Sequence, residues 1–141
     1  MQSAICLSIH QPWAWAIFHA GKSIENRHWA TSYRGPLLIH ASKTTRTYDA
    51  IDPGEWLDWY GIGLPSIADL PRGAIIGQVD LMDCCRRDSL FHRPELNTVW
   101  AEGPVCWILA NARSFKMPVP YKGQQGLFSI PIDPENPWNF A

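Results

Sequence analysis

The sequence predicts an α+β domain: a small β-barrel or curved mixed sheet carrying a few short helices. Two observations carry this expectation. Short apolar runs at residues 5–9, 35–41, 74–84, 105–112 and 126–130 have strand character, while helical spacing is confined to brief stretches. No repeat, low-complexity tract or linker divides the 141 residues, so one core is expected for the whole length. Hydrophobic residues at 46% and charged residues at 18% fit a globular chain rather than a disordered one. A single domain is therefore expected over 1–141, with 131–141 as a tail that three prolines keep out of regular structure.

Ile5-Cys6-Leu7-Ser8-Ile9 reads as a short, mostly buried strand, and His10-Gln11-Pro12 turns from it into a helix. Pro12 suits a first helical position and Gly21 a C-terminal cap, which bounds that helix to residues 12–20. Residues 22–29 look extended, so Glu25, Arg27 and Trp29 would share one face. Gly35 to Ala41 is the clearest strand. After it comes a helical stretch broken at Asp52-Pro53, then a second turn or helix through Glu55 to Tyr60. Residues 61–73, rich in Gly and Pro, read as a loop, and residues 86–97 as irregular with one helical turn.

Several function classes lose support at this stage. No apolar run approaches the roughly 20 residues of a membrane span. Met1 to Cys6 has neither the charged nor the apolar region of a signal peptide, so a cytoplasmic location is expected. Cys6, Cys84, Cys85 and Cys106 form no CxxC pair and read as reduced thiols. The five histidines make no ligand pattern, so neither a metal nor a cofactor is expected.

Net charge is −1, which does not announce a nucleic-acid binder, but the charge is segregated. Between residues 22 and 46, Lys22, Arg27, Arg34, Lys43 and Arg46 face only Glu25. Between 47 and 83, seven acids face only Arg72. A basic stretch of that kind can make a local anion site on a neutral protein, although solvated faces also produce such runs.

The densest block is Leu7-Ser8-Ile9-His10-Gln11-Pro12-Trp13-Ala14, followed by Gly21-Lys22-Ser23-Ile24-Glu25-Asn26-Arg27. On strand geometry Glu25 and Arg27 are close enough for a carboxylate–guanidinium pair. Lys22, just past a helix end, is read as reaching a pocket without a structural partner. Trp13, Trp29 and Tyr33 are candidate stacking faces, and His40 and Lys43 bracket a strand end where pockets open.

These blocks, with Tyr33-Arg34-Gly35-Pro36 through Ser42 and Pro71-Arg72-Gly73-Ala74 through Cys84, resemble the ASCH family, whose fold is similar to PUA RNA-binding domains. The resemblance covers roughly residues 5–130. It implies a PUA-like fold and a cleft for single-stranded RNA or a modified nucleoside, with DNA also possible. Lys22, Arg27, Arg34 and Lys43 would lie near phosphate, and Trp13, Trp29, Tyr33 and His40 near the base. It also implies an alternative, a hydrolase acting on RNA or on N-acylated cytidines, with Lys22 and Glu25 as catalytic candidates. Amidohydrolases of the family place a threonine nucleophile where this chain has Glu25, and a carboxylate does not replace an activated hydroxyl. A third alternative is a protein-interaction module, since related domains sit in transcription coactivators.

Overall fold

The computed structural model describes residues 2–132. Its six strands are β1 (Gln2–Ile9), β2 (Ile24–Arg27), β3 (Gly35–Ala41), β4 (Ala74–Arg86), β5 (Val105–Pro120) and β6 (Leu127–Ile132). They form one sheet in the order β2-β5-β4-β3-β1-β6. β1 and β3 run parallel, and every other neighbouring pair is antiparallel. Three short helices complete the α+β architecture: α1 (Trp13–His19), α2 (Arg46–Asp49) and α3 (Pro53–Tyr60). No helix among the described residues is long and apolar enough to cross a membrane.

The sheet does not close, which corrects the barrel expectation. β2 has four residues and pairs only with β5, while β6 pairs only with β1, so both stay edges. The β4–β5 register slips between Ile75 and Gly77, between Gln78 and Asp80, and between Leu81 and Asp83. Bulges of this kind bend and twist a ribbon locally.

Both faces of the sheet are covered, which is why β3 is buried without a break from Leu37 to Ala41. Leu37, Ile39 and Ala41 pack with Ala14 and Ile17 of α1 and with Trp107. On the opposite face Leu38 packs with Cys6, Ile75, Phe128 and Ile130. A third cluster joins Trp56 of α3 to Ile24, Trp100 and Ile108.

Several boundaries differ from the sequence reading, among them the start of β1 at Gln2 and of α1 at Trp13, and three have a local cause. The Asp52-Pro53 pair opens α3: the Asp52 carboxylate accepts from the Gly54 and Glu55 amides, and Pro53 occupies the first turn. β5 continues to Pro120, well beyond the apolar run at 105–112, because it stays paired with β4 as far as Ala74; its second half is mostly exposed, so no core periodicity announced it. Pro131 and Ile132, assigned to the tail, belong to β6, where Pro131 lies opposite Ser3 on an edge strand. The rest of the expected tail lies outside the described residues.

Gly77 marks the tightest approach in the sheet. A Cβ there would stand 2.6 Å from the Phe18 ring and 2.6 Å from the Arg113 carbonyl oxygen, and the latter is backbone. Gly77→Ala is expected to destabilise the fold by about 1–3 kcal/mol through overpacking. Chemical denaturation of the two proteins, read by tryptophan fluorescence, measures it.

Candidate functional site

Past α1 the chain turns through Gly21 at φ 69°, and the Lys22 amide bonds back to the Ala16 carbonyl at 3.1 Å. That turn aims the Lys22 side chain inward and feeds β2. There Glu25 and Arg27 share a face, as strand alternation requires. Lys22 Nζ lies 3.2 Å from Glu25 Oε1, and Arg27 Nη2 lies 3.1 Å from Glu25 Oε2. Lys22 also donates to the Ile24 carbonyl, and Arg27 Nη2 donates to the Ser8 carbonyl at 3.0 Å. Lys22 and Glu25 are only 4% and 7% exposed, so water does little to screen their pairing. The expected Glu25–Arg27 pair is present. The expectation that Lys22 lacks a partner is corrected, because the helix cap folds Lys22 back onto the same carboxylate.

The three charges look onto two different spaces. Lys22 and Glu25 face a cavity of about 180 Å³ walled by Trp13, Tyr60 and Trp100. Tyr60 and Trp100 stack at 4.3 Å with an interplanar angle of 9°, and Trp13 meets both edge-on. The Lys22 ammonium sits 5.7 Å from the centre of the Trp13 ring. Burial, and then the charge of Glu102, push the Tyr60 phenol up to about 12, so the hydroxyl holds its proton firmly and can serve as a hydrogen-bond donor.

Arg27 faces an open groove of about 1080 Å³. Trp29, His40 and Lys43 line it with Arg27, together with His10 and Lys122, and none of its lining residues is Asp or Glu. The Lys43 stem crosses Gly73, where a Cβ would come within 2.9 Å of it. Trp29 is 38% exposed, and its other side meets Trp107 edge-to-face at 4.8 Å. His40 fastens the floor. Its Nε2–H donates to the Tyr121 carbonyl at 2.7 Å, since a carbonyl can only accept, which leaves Nδ1 to accept from the Ser8 hydroxyl at 2.9 Å. Burial pushes the His40 imidazole below the usual histidine range. Gly123 lies directly over this pair, and a Cβ there would fall 2.8 Å from the imidazole.

The remaining candidates point elsewhere. Arg34 pairs with Asp83 at 3.0 Å and bonds the Thr31 and Tyr33 carbonyls, and the Tyr33 hydroxyl donates to the Pro36 carbonyl. Neither lines the groove or the cavity. Arg93 pairs with Asp83 as well, at 2.5 Å, and its hydrogen bond is the main reason the Asp83 carboxyl lies below its ordinary range. Trp13 reaches the cavity and not the groove.

The sequence reading missed Lys122, Asn26 and Glu102. Lys122 follows the exposed half of β5, so only strand pairing brings it to the groove that Lys43 also lines. Asn26 Oδ1 accepts from the Glu102 and Gly103 amides at 2.9 and 2.8 Å, and its amide donates to the Trp100 carbonyl at 2.9 Å. It thereby holds the segment that carries Trp100 and Glu102 against β2. A polar residue in the middle of a strand was the available signal.

The model of the ASCH domain family matches residues 7–119. Activating signal cointegrator 1 of Homo sapiens is 29% identical over 130 residues, and its Mus musculus counterpart 27%. Those residues are 89% of this chain but 22% of each relative, so the chain spans about a fifth of their length. The crystal structure of ASCH from Zymomonas mobilis superposes with a TM-score of 0.54 at 12% identity, covering 91% of this chain and 87% of that one. A point-mutant form of the same protein gives the same score. At that identity the likeness is one of fold.

The triad and His40 each generate an expectation. Glu25→Ala strands two cations and is expected to cost most, toward the roughly 3–5 kcal/mol of a broken buried pair. Lys22→Ala is expected to lower the melting temperature less, because Arg27 still neutralises Glu25. Thermal melts rank the variants, and an unchanged melt for Lys22→Ala would contradict the arrangement. The folded-state value of His40 lies below its unfolded value of 6.5, so the unfolded chain binds its proton first. The associated stability is complete above pH 6.5 and is lost as pH falls through the lower folded value. A pH series of melts is expected to show this loss, reduced in His40→Gln.

Proposed function

Because this chain belongs to the ASCH domain family, we propose that its basic groove binds single-stranded nucleic acid, with RNA as the favoured ligand. The observation that carries the reading is the groove's charge: Arg27, Lys43 and Lys122 line it and no carboxylate does, although the chain as a whole carries −1. A phosphate backbone meets cations there with no carboxylate in the groove wall; Glu25, the acid paired with Arg27, faces the cavity instead and is shared with Lys22. Arg27 is held at Nη2 by Glu25 and the Ser8 carbonyl, which presents a guanidinium already fixed in place and lowers the entropy lost on binding. The exposed face of Trp29 offers a platform for one unpaired base. His10 adds a polar edge, secondary to the three permanent cations, while His40 is buried with both ring nitrogens engaged and shapes the floor alone.

Hydrolysis at Lys22 and Glu25 receives less support. Both Glu25 oxygens are engaged by cations, and no hydroxyl group lines the cavity except that of Tyr60. Arg34 and Tyr33, engaged away from the groove, take no part in the proposed contact.

Salt titration of a fluorescent single-stranded RNA, read by anisotropy, tests the proposal. Three phosphate contacts are expected to give a slope of log K against log salt near −2, at about −0.7 per contact. Lys122→Ala is expected to weaken binding and to make the slope shallower by about 0.7. Absence of binding at low salt overturns the reading. Trp29→Ala is expected to lose about 1–3 kcal/mol of binding if a base stacks there.

A further inference from the structure

The acidic stretch at 47–83 has no part in the groove, yet the fold gathers much of it in one place. Asp52, Glu55 and Asp58 of the α3 region line a second depression, of about 600 Å³, and Glu102 joins them from the segment before β5. No Lys, Arg or His lines it. Among the described residues these four carboxylates make no ion pair, and only Asp52 is partly occupied, as the cap of α3. Its walls are aromatic: Trp13, Trp56, Trp59 and Tyr60. Trp59 is 63% exposed, which is unusual for an indole with no function on the surface.

We infer that this depression is a docking site for a basic peptide segment of a protein partner, taking an arginine or lysine side chain between its aromatic walls. Three observations favour that occupant. The rim is wholly acidic, and desolvated cations prefer the faces of Trp and Tyr rings. The same wall already holds an ammonium, since Trp13 carries Lys22 on its cavity side. Trp56 is 3% exposed, and its indole N–H is buried without a partner among the described residues. That N–H has no accessible surface as it stands, so a peptide carbonyl reaches it only if the wall shifts slightly, and a bare metal ion does not satisfy it at all. The chain's own residues 133–141 carry Asp133 and Glu135 and no basic residue, so charge argues against them as the occupant. Nucleic acid is disfavoured for the same reason. The inference stands apart from the nucleic-acid reading, because the two surfaces share no lining residue.

The test uses the full chain and a fluorescein-labelled nonapeptide of alternating arginine and glycine, with a glutamate–glycine peptide as control. Saturable binding of the arginine peptide alone is expected, weakening as salt rises. A Glu55→Gln, Asp58→Asn double variant and a separate Trp59→Ala variant are each expected to weaken it by about fivefold or more. All these positions are exposed, so the variants are expected to fold, which circular dichroism checks. RNA anisotropy on the same variants is expected to be unchanged, which separates this result from any failure of the groove reading. The inference is overturned if the arginine peptide does not bind at low salt. It is also overturned if both peptides bind alike, or if the variants bind as the parent does. Calcium displacing the peptide at stoichiometric amounts would make the depression a metal site. Self-association lost in the variants would make it a contact between copies of this chain.

Discussion

Glu25 stands between Lys22 and Arg27, and much of the molecule is arranged around that one carboxylate. Two cations at the edge of a buried strand would be costly alone, and the shared anion lets both remain there. Each cation then ties down something else. Lys22 anchors the turn after α1 and rests over Trp13, while Arg27 reaches across to the Ser8 carbonyl of β1. β2, β1 and the end of α1 are thereby linked, although β2 and β1 lie at opposite sides of the sheet order. Long-range ties of this kind matter most in a sheet that does not close, because hydrogen bonding within the sheet leaves β2 supported from one side only.

The triad also divides the surface. On the Arg27 side the neighbours are Lys43, Lys122 and two histidines. On the Lys22 side they are aromatic rings and then a rim of carboxylates. A chain whose charges nearly cancel thus presents two faces of opposite sign. Net charge averages over that separation, and the local field each face presents to a ligand does not. The groove and the acidic depression therefore suit different chemistry on one small domain.

Residues that carry no charge set the geometry of both faces. Gln11 is fully buried, donates to the Pro71 carbonyl at 2.8 Å and accepts from the Trp15 amide at 2.9 Å. It joins the start of α1 to the loop before β4. His40 joins β1 to the loop after β5, and Asn26 joins β2 to the segment before β5. Each satisfies a buried polar group and, in doing so, closes a loop that lines one of the two faces.

What the sequence determined by itself was local. Gly21 after an apolar run placed the end of α1, the apolar run Leu37-Leu38-Ile39 with Ala41 marked β3, and the spacing of Glu25 and Arg27 put them on one strand face. The segregation of basic and acidic stretches was legible too, as was the family through its motif blocks. Only tertiary structure decided which of those charges act together. Arg34 and Lys43 look alike in the sequence, but Arg34 is neutralised by Asp83 from β4 while Lys43 faces an opening. Lys122 joins Lys43 only because β4 and β5 pair along their full length. Likewise Glu102 meets the acids of α3 only across the fold. Side-chain spacing within one strand or helix follows from the backbone repeat, but proximity between distant segments follows from how the apolar faces pack, and no local pattern encodes it.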